Sequence, residues 1–422
     1  MKKVIGMLAL VALVGNIANA ELLKNFKADG QVDVNAYSYN NADFNKDVND
    51  KKAFTDTRVM INAGFDLNED VNAVVSVVKN NRQYGTASQS ATNGTGILDL
   101  IKFEQAYLNL KNVFGIDHKL GRQYYGDKGD MVIYYGPATM PYTSKFTPSV
   151  AAIDGWTGWY KFNALNRDWN LNAIIAKETQ GAPAGQNDTN ITGINAKTNV
   201  DRWNLNAYYY QKVDKSAGLA DYLDLVGARA NWECMFVKNL FIGLEYDMNM
   251  GKNHTGDVKH QGYAYKANVD YSMDLAGKLA FSGEYAAQSG DKNTTDKTDK
   301  AFQAINTDYR PGIIMGAGFL QAAYTPVAAD GIAIYDVGAN WTPEKLNKLN
   351  IGAKYYNFAA DNKKNTYVDT NIGNEVDVMA TWTHSANVSV SGYYAMFSPE
   401  KKNVGANHDS ENMMGAMFNV KF

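Results

Sequence analysis

A chain of 422 residues with 41 Lys and Arg against 44 Asp and Glu has a formal net charge of −3, which leaves no basic excess for a nucleic-acid partner. Its one cysteine, Cys234, excludes an internal disulfide and reads as a small residue in a turn. Aromatics make up 12% of the chain, with 27 Tyr, while Gly is plentiful at 36 and Pro scarce at 8. Mean hydropathy is −0.38, and after residue 20 no apolar run is long enough to cross a bilayer as a helix.

The first segment opens with Lys2 and Lys3, continues as an apolar run from Val4 to Val14 and reaches the small-x-small sequence Ala18-Asn19-Ala20. That order predicts a secretory signal peptide over 1–20 and a single domain over 21–422. The apolar run is too short to serve as a spanning anchor. Glu21, where a lipoprotein would carry Cys, argues against a lipid anchor.

Beyond the leader, apolar and polar residues alternate with the period of two that marks a strand with two different faces. In chain order the pattern predicts strands at 27–40, 55–67, 70–80, 98–110, 117–125, 154–162, 169–177, 190–198 and 202–212. The second half repeats it at 222–232, 239–248, 262–272, 278–287, 332–341, 349–358, 375–383, 387–397 and 412–422. In the second strand, for instance, Val59, Ile61, Ala63 and Phe65 alternate with Arg58, Met60, Asn62 and Gly64. In the last, Met414, Ala416, Phe418, Val420 and Phe422 alternate with Gly415, Met417, Asn419 and Lys421. Ordinary termini are polar and fray, so a chain that finishes on Phe needs an apolar neighbour there.

Strands of this length cross a bilayer when tilted. Alternation alone is also compatible with a soluble sandwich, whose apolar face would be its core. The connections favour the membrane. Short links such as "LNED", "NALNRD", "KTNVD" and "HSAN" alternate with long polar ones such as "NNRQYGTASQSATNGTG" and "AQSGDKNTTDKTDK", as in outer-membrane barrels. The expected fold is therefore all-β: a closed antiparallel transmembrane β-barrel of about eighteen strands, within a range of 16 to 20. An even number puts both ends on the periplasmic side, where the last strand closes against the first and Phe422 faces lipid. Two connections, 126–153 and 288–331, are too long for plain loops. The second contains "AFQAIN" and "IIMGAGFLQAAY", candidates for two further strands.

The stretch "FEQAYLNLKNVFGIDHKLGRQYYGD", with Gly121, Arg122, Gln123, Gly126 and Asp127 at its end, resembles bacterial porins of the alginate-export family. The likeness covers about residues 103–127; the terminal aromatic strand and the leader fit the wider porin class. It implies a single barrel of about eighteen strands and places Arg122 near the channel, with a structural Arg bonding a neighbouring strand or loop as the alternative.

A barrel this wide encloses an aqueous lumen, and selectivity then comes from charged side chains and folded-in loops. By alternation the inward candidates are Arg58, Arg82, Lys102, Glu104, Lys161, Arg229, Glu245, Lys266, Glu284, Lys354 and Asp377, with Arg122 added by the resemblance. Both signs are present. Segment 126–153, rich in Tyr, Met and Pro, is the expected constriction loop, with Asp127 and Arg122 at its base. Tyr124, Tyr125, Tyr134, Tyr135 and Tyr142 offer an aromatic surface for a sugar or merely pin the loop to the wall. The five histidines lie in no nucleophile motif, so no enzyme, cofactor or metal is expected. The expectation is a passive porin of the Gram-negative outer membrane, with lipid and small hydrophilic solutes or sugars as partners. The alternative is a channel specific for anionic sugars, or one exporting an anionic polysaccharide.

Overall fold

Each predicted strand forms within a few residues of its expected bounds, and each pairs antiparallel with the next. The computed structural model describes residues 24–83, 101–137, 151–181, 187–216, 219–316, 330–362 and 367–422; the leader lies outside them. The wall begins with β1 (Lys24–Asn40), β2 (Lys52–Asp66), β3 (Val71–Gln83), β4 (Ile101–Val113), β5 (Ile116–Gln123) and β6 (Ile153–Ala164). It continues through β7 (Arg167–Thr179), β8 (Thr189–Val200), β9 (Trp203–Asp214), β10 (Asp221–Glu233), β11 (Leu240–Asn253) and β12 (Tyr263–Asp274). The last third is β13 (Gly277–Gln288), β14 (Ile332–Pro343), β15 (Leu349–Ala359), β16 (Asn371–Ser385), β17 (Val388–Pro399) and β18 (Glu411–Lys421).

Strand β18 pairs with β1 from Gln31↔Lys421 to Asn40↔Asn412, so the eighteen strands close without an edge. Closure extends to the last residue: Gly30 donates to the Phe422 carbonyl at 2.8 Å, and Phe422 donates back at 3.0 Å. The Phe422 ring lies against Gly30, a position where any side chain would collide. Short turns sit at one end of the barrel; at Leu165 and Asn166 both φ angles are positive, as a two-residue hairpin requires.

Register partners share a face, which fixes the sense of the alternation. Phe103, Ile175, Tyr246, Val337, Met414 and Phe418 are exposed on the outside. The inner face of the half nearest the short turns is polar, with Lys119, Lys161, Asn170, Lys197, Asn206, Arg229, Asn231 and Asn268. In the other half, however, the inner face also carries large apolar clusters. Ile153, Ile174, Ile191, Tyr208, Tyr210, Leu223 and Leu225 form one buried cluster, and Ile334, Phe358, Ile372, Phe397 and Met413 form another. Inward apolar side chains are stable only if something covers them, and two chain segments do. These segments also correct the strand expectation for 288–331. Residues 301–306 join no wall strand and form only a parallel bridge, Ile133↔Asn306. Residues 313–316 are turn, and 317–324 lie outside the described residues. Phe302, Ile305, Ile313 and Ile314 pack in buried clusters inside the barrel rather than facing lipid.

Candidate functional site: two segments inside the lumen

Strand β5 is short and leaves the wall after Gln123. Tyr125–Gly126 pairs with Tyr134–Tyr135 in a small hairpin; Gly126 has φ +83° there, a conformation suited to glycine. Its apolar tip is fully covered: Met131, Val132 and Tyr135 have 0% exposure. Polar bonds then orient it. Tyr125 donates to Asn172 Oδ1 at 2.9 Å and lies 3.2 Å from the Tyr210 hydroxyl. Tyr135 donates to Glu178 at 3.1 Å; burial first, then that carboxylate, push its phenol well above the ordinary value.

Asp130 is the hinge of the arrangement. One of its oxygens accepts the Val132 and Ile133 amides at 2.7 and 3.1 Å, tying the turn to itself. The same carboxylate takes both terminal nitrogens of Arg229 from the β10 wall, at 2.6 and 2.7 Å, a bidentate geometry that a lysine does not reproduce. Arg229 reaches on to Glu245 at 2.7 Å and lies over the Tyr208 ring; Lys266 bonds the other Glu245 oxygen at 3.2 Å.

The second segment, 289–316, lies across the first. Ile305 and Asn306 donate to the Val132 carbonyl at 3.0 and 3.2 Å. Tyr134 and Asn306 exchange two bonds at 2.7 Å each, and Thr307 donates to the Asp130 carbonyl at 2.8 Å. On the β9 and β11 side, Lys212 donates to Ile305 O at 3.2 Å, and Asn249 and Gln303 exchange bonds at 2.9 and 2.7 Å. Tyr309 then donates to Glu284 on β13 at 2.5 Å. Finally Ile313, Ile314 and Met315 donate to Asp377 and Glu375 on β16. The segment thus runs as a strut from one side of the wall to another and leans on the first loop midway.

The sequence candidates fall into several positions. Arg58 faces inward and is held by Asp33 at 2.8 Å, both buried. Lys102 faces inward opposite Val78, and Glu104 occupies a bulge beside it, buried. Lys161 is inward and exposed. Lys354 binds Asp336 at 3.0 Å. Arg229, Glu245, Lys266, Glu284 and Asp377 are inward and bonded as described above. Asp127 is exposed on the first loop, 3.8 Å from Lys197, while Tyr134 and Tyr135 are buried within the hairpin. For Tyr134, burial and then Asp308 push the phenol up, against the opposing effect of Arg58 and Arg310. Tyr124 donates to the Met60 sulfur at 3.7 Å. The side chain of Arg82 and all of Tyr142 lie outside the described residues.

Arg122 requires correction. Its register partners are Ala106 and Asp154, on the face shared by the exposed Leu108 and Leu120; its neighbour Gln123 points inward and bonds the buried Thr157. Arg122 therefore faces outward, where Asp154 accepts its nitrogens at 3.0 and 2.6 Å. It stitches β5 to β6 just where β5 quits the wall, which is the structural role and not the channel one. The alternation itself sets Arg122 on the face of Leu120, two residues before it; only the resemblance had placed it at the channel.

Four of the inward candidates, Lys161, Arg229, Glu245 and Lys266, fall in a single row. Lys161, Asn170, Lys197, Asn206, Arg229, Glu245 and Lys266 are successive register partners across β6 to β12. Because strands tilt in a barrel, such a row winds along the lumen. Asp130, Asn306, Tyr309 and Glu375 were missed. Their signal was present in the strands they dock on: "II" at 174–175 and "YYY" at 208–210 put apolar or aromatic residues on both faces, which a water-filled interior does not call for.

The site is thus a wide barrel whose lumen is narrowed by two interlocked segments. No protein-family model matches the chain, and no curated relative does. Solved structures share the fold. Pseudomonas aeruginosa OccK8 (OprE) superposes with a TM-score of 0.59 at 12% identity, covering 95% of this chain and 99% of that one. P. aeruginosa OccK11 (OpdR) gives 0.57 at 10%, covering 95% and 97%. Acinetobacter baumannii OccAB2 gives 0.57 at 10%, covering 96% and 99%. At such identities the likeness is one of fold. The resemblance to alginate-export porins is not supported: its short motif is divided between a wall stitch at Arg122 and a loop at Asp127, and the full-length likeness is to the Occ barrels.

Proposed function

We propose that this protein is a porin of the Gram-negative outer membrane through which ions and small hydrophilic solutes diffuse passively. Export would use the leader at 1–20, and residues 21–422 would form one barrel domain in contact with outer-membrane lipid. The observation that carries the reading is the combination of an apolar outer wall with a charged inner row that two inward segments narrow without filling the half near the short turns. The full-length fold likeness to the Occ barrels supports it. Arg58, Lys102, Glu104, Lys161, Arg229, Glu245, Lys266, Glu284, Lys354 and Asp377 then act as lumen charges or as anchors for the constriction. The purified protein in planar bilayers should give stepwise ohmic currents, and solute panels in liposome swelling should show a size cut-off. No current in any salt would refute the reading; block by one anionic sugar alone would replace it with a specific channel.

A further inference from the structure

We propose that Glu375 and Asp377 are positioning residues that fix the far end of the 289–316 strut and thereby set the bore of the channel, a role that rests on the porin reading above. The two carboxylates project inward from β16, with exposures of 0% and 7%. Neither forms an ion pair among the described residues. They hydrogen-bond each other, and their remaining partners are three consecutive backbone amides of the strut. Ile313 donates to Asp377 Oδ2 at 3.0 Å, Ile314 to Glu375 Oε1 at 2.6 Å and Met315 to Glu375 Oε2 at 3.0 Å. Successive amides converging on a carboxylate form an anion-binding nest, and charge-assisted bonds of this kind are stronger than neutral ones.

The backbone is shaped for this contact. Gly312, at φ +82°, precedes the nest, and a Cβ there would lie 2.6 Å from Glu375 Oε2. Ile314, with 0% exposure, is packed in the cluster that holds Phe358, Ile372 and Phe397. Buried carboxyl groups are costly unless hydrogen bonds compensate them. The wall therefore carries two residues whose burial is explained by the strut, and the strut carries a glycine whose conformation is explained by the wall. Everything between this anchor and the crossing at Asn306 is held at its far end by these bonds.

The test measures anchor and channel separately. Ile314→Cys in a Cys234→Ser background should react slowly with a water-soluble thiol reagent. Adding Glu375→Gln, which points an N–H at a strut amide, should speed labelling at least roughly tenfold, the effect of losing one bond to a charged group. Gly312→Ala, outside the wall, should do the same while heat-modifiable gel mobility shows an assembled barrel. In planar bilayers both substitutions, made without the cysteine, should raise single-channel conductance and admit larger solutes. Unchanged labelling in both variants overturns the anchor. Faster labelling with unchanged conductance overturns its control of the bore. A parent protein that carries no current fails the porin reading itself, while labelling still decides whether the anchor exists.

Discussion

Replacing Arg229 by Gln tests how the first inward loop is held. The Arg229 side chain is 20% exposed, and its partners Asp130 and Glu245 are 5% and 4% exposed, so the pair behaves as buried rather than as a surface bridge. Removing one member of a buried pair costs about 3–5 kcal/mol, because the remaining charges stay desolvated. Here two carboxylates lose their cation, although Lys266 still serves Glu245 at 3.2 Å. The loop can relieve Asp130 by lifting into lumen water, so the cost should appear as undocking and not as loss of the barrel. At about 1.4 kcal/mol per decade, the low end of that range is a shift of roughly two orders of magnitude in the docked-to-undocked ratio. Single-channel recording should show larger, noisier currents for Arg229→Gln, with gel mobility of the folded barrel unchanged. Asp130→Asn should produce the same phenotype, and the double variant should be no worse than either single one, since both remove the same contact. Wild-type conductance and noise in Arg229→Gln, or strictly additive effects, would refute the clamp.

Three further outcomes are expected. Deleting Phe422 removes the two backbone bonds to Gly30 and the ring that covers it; folded yield should fall while inserted molecules conduct normally, and an unchanged yield would count against the seam. Single cysteines at the neighbours Lys161 and Tyr160, without Cys234, should separate the faces: a membrane-impermeant reagent should label 161 in lipid vesicles and leave 160 unreacted, and the reverse pattern would invert the wall. Replacing 126–153 with a Gly-containing turn should raise conductance and size cut-off beyond what Glu375→Gln achieves, because Ile305, Asn306 and Thr307 of the strut lose their partners as well. A deletion that leaves both where they were would show that the loop does not constrict.

How far the chain could be read by itself follows from what each pattern encodes. Val59, Ile61 and Phe65 opposite Arg58 and Asn62 state only that two faces differ; the lengths of the links added the membrane. Arg229 was legible as inward because β10 alternates cleanly on both sides of it. Arg122 was misplaced by the motif likeness and not by the pattern: alternation puts it on the outer face with Leu120, and a motif likeness cannot correct a face.

The sequence by itself determined the strand periods, their number to within two, the even count that brings both ends together and the need for Phe422 to have an apolar neighbour. These are local properties, set by side-chain alternation and turn composition within about a dozen residues. Only the tertiary structure decided that the inner wall carries apolar clusters in one half, that Asp130 seats on Arg229 and that residues 301–316 form a strut rather than wall strands. Those pairings join positions such as Asp130 and Arg229, or Ile314 and Glu375, that lie 99 and 61 residues apart. An apolar run carries no record of whether lipid or a folded-in loop will cover it; the closed wall, by bringing distant faces across one lumen, makes that choice.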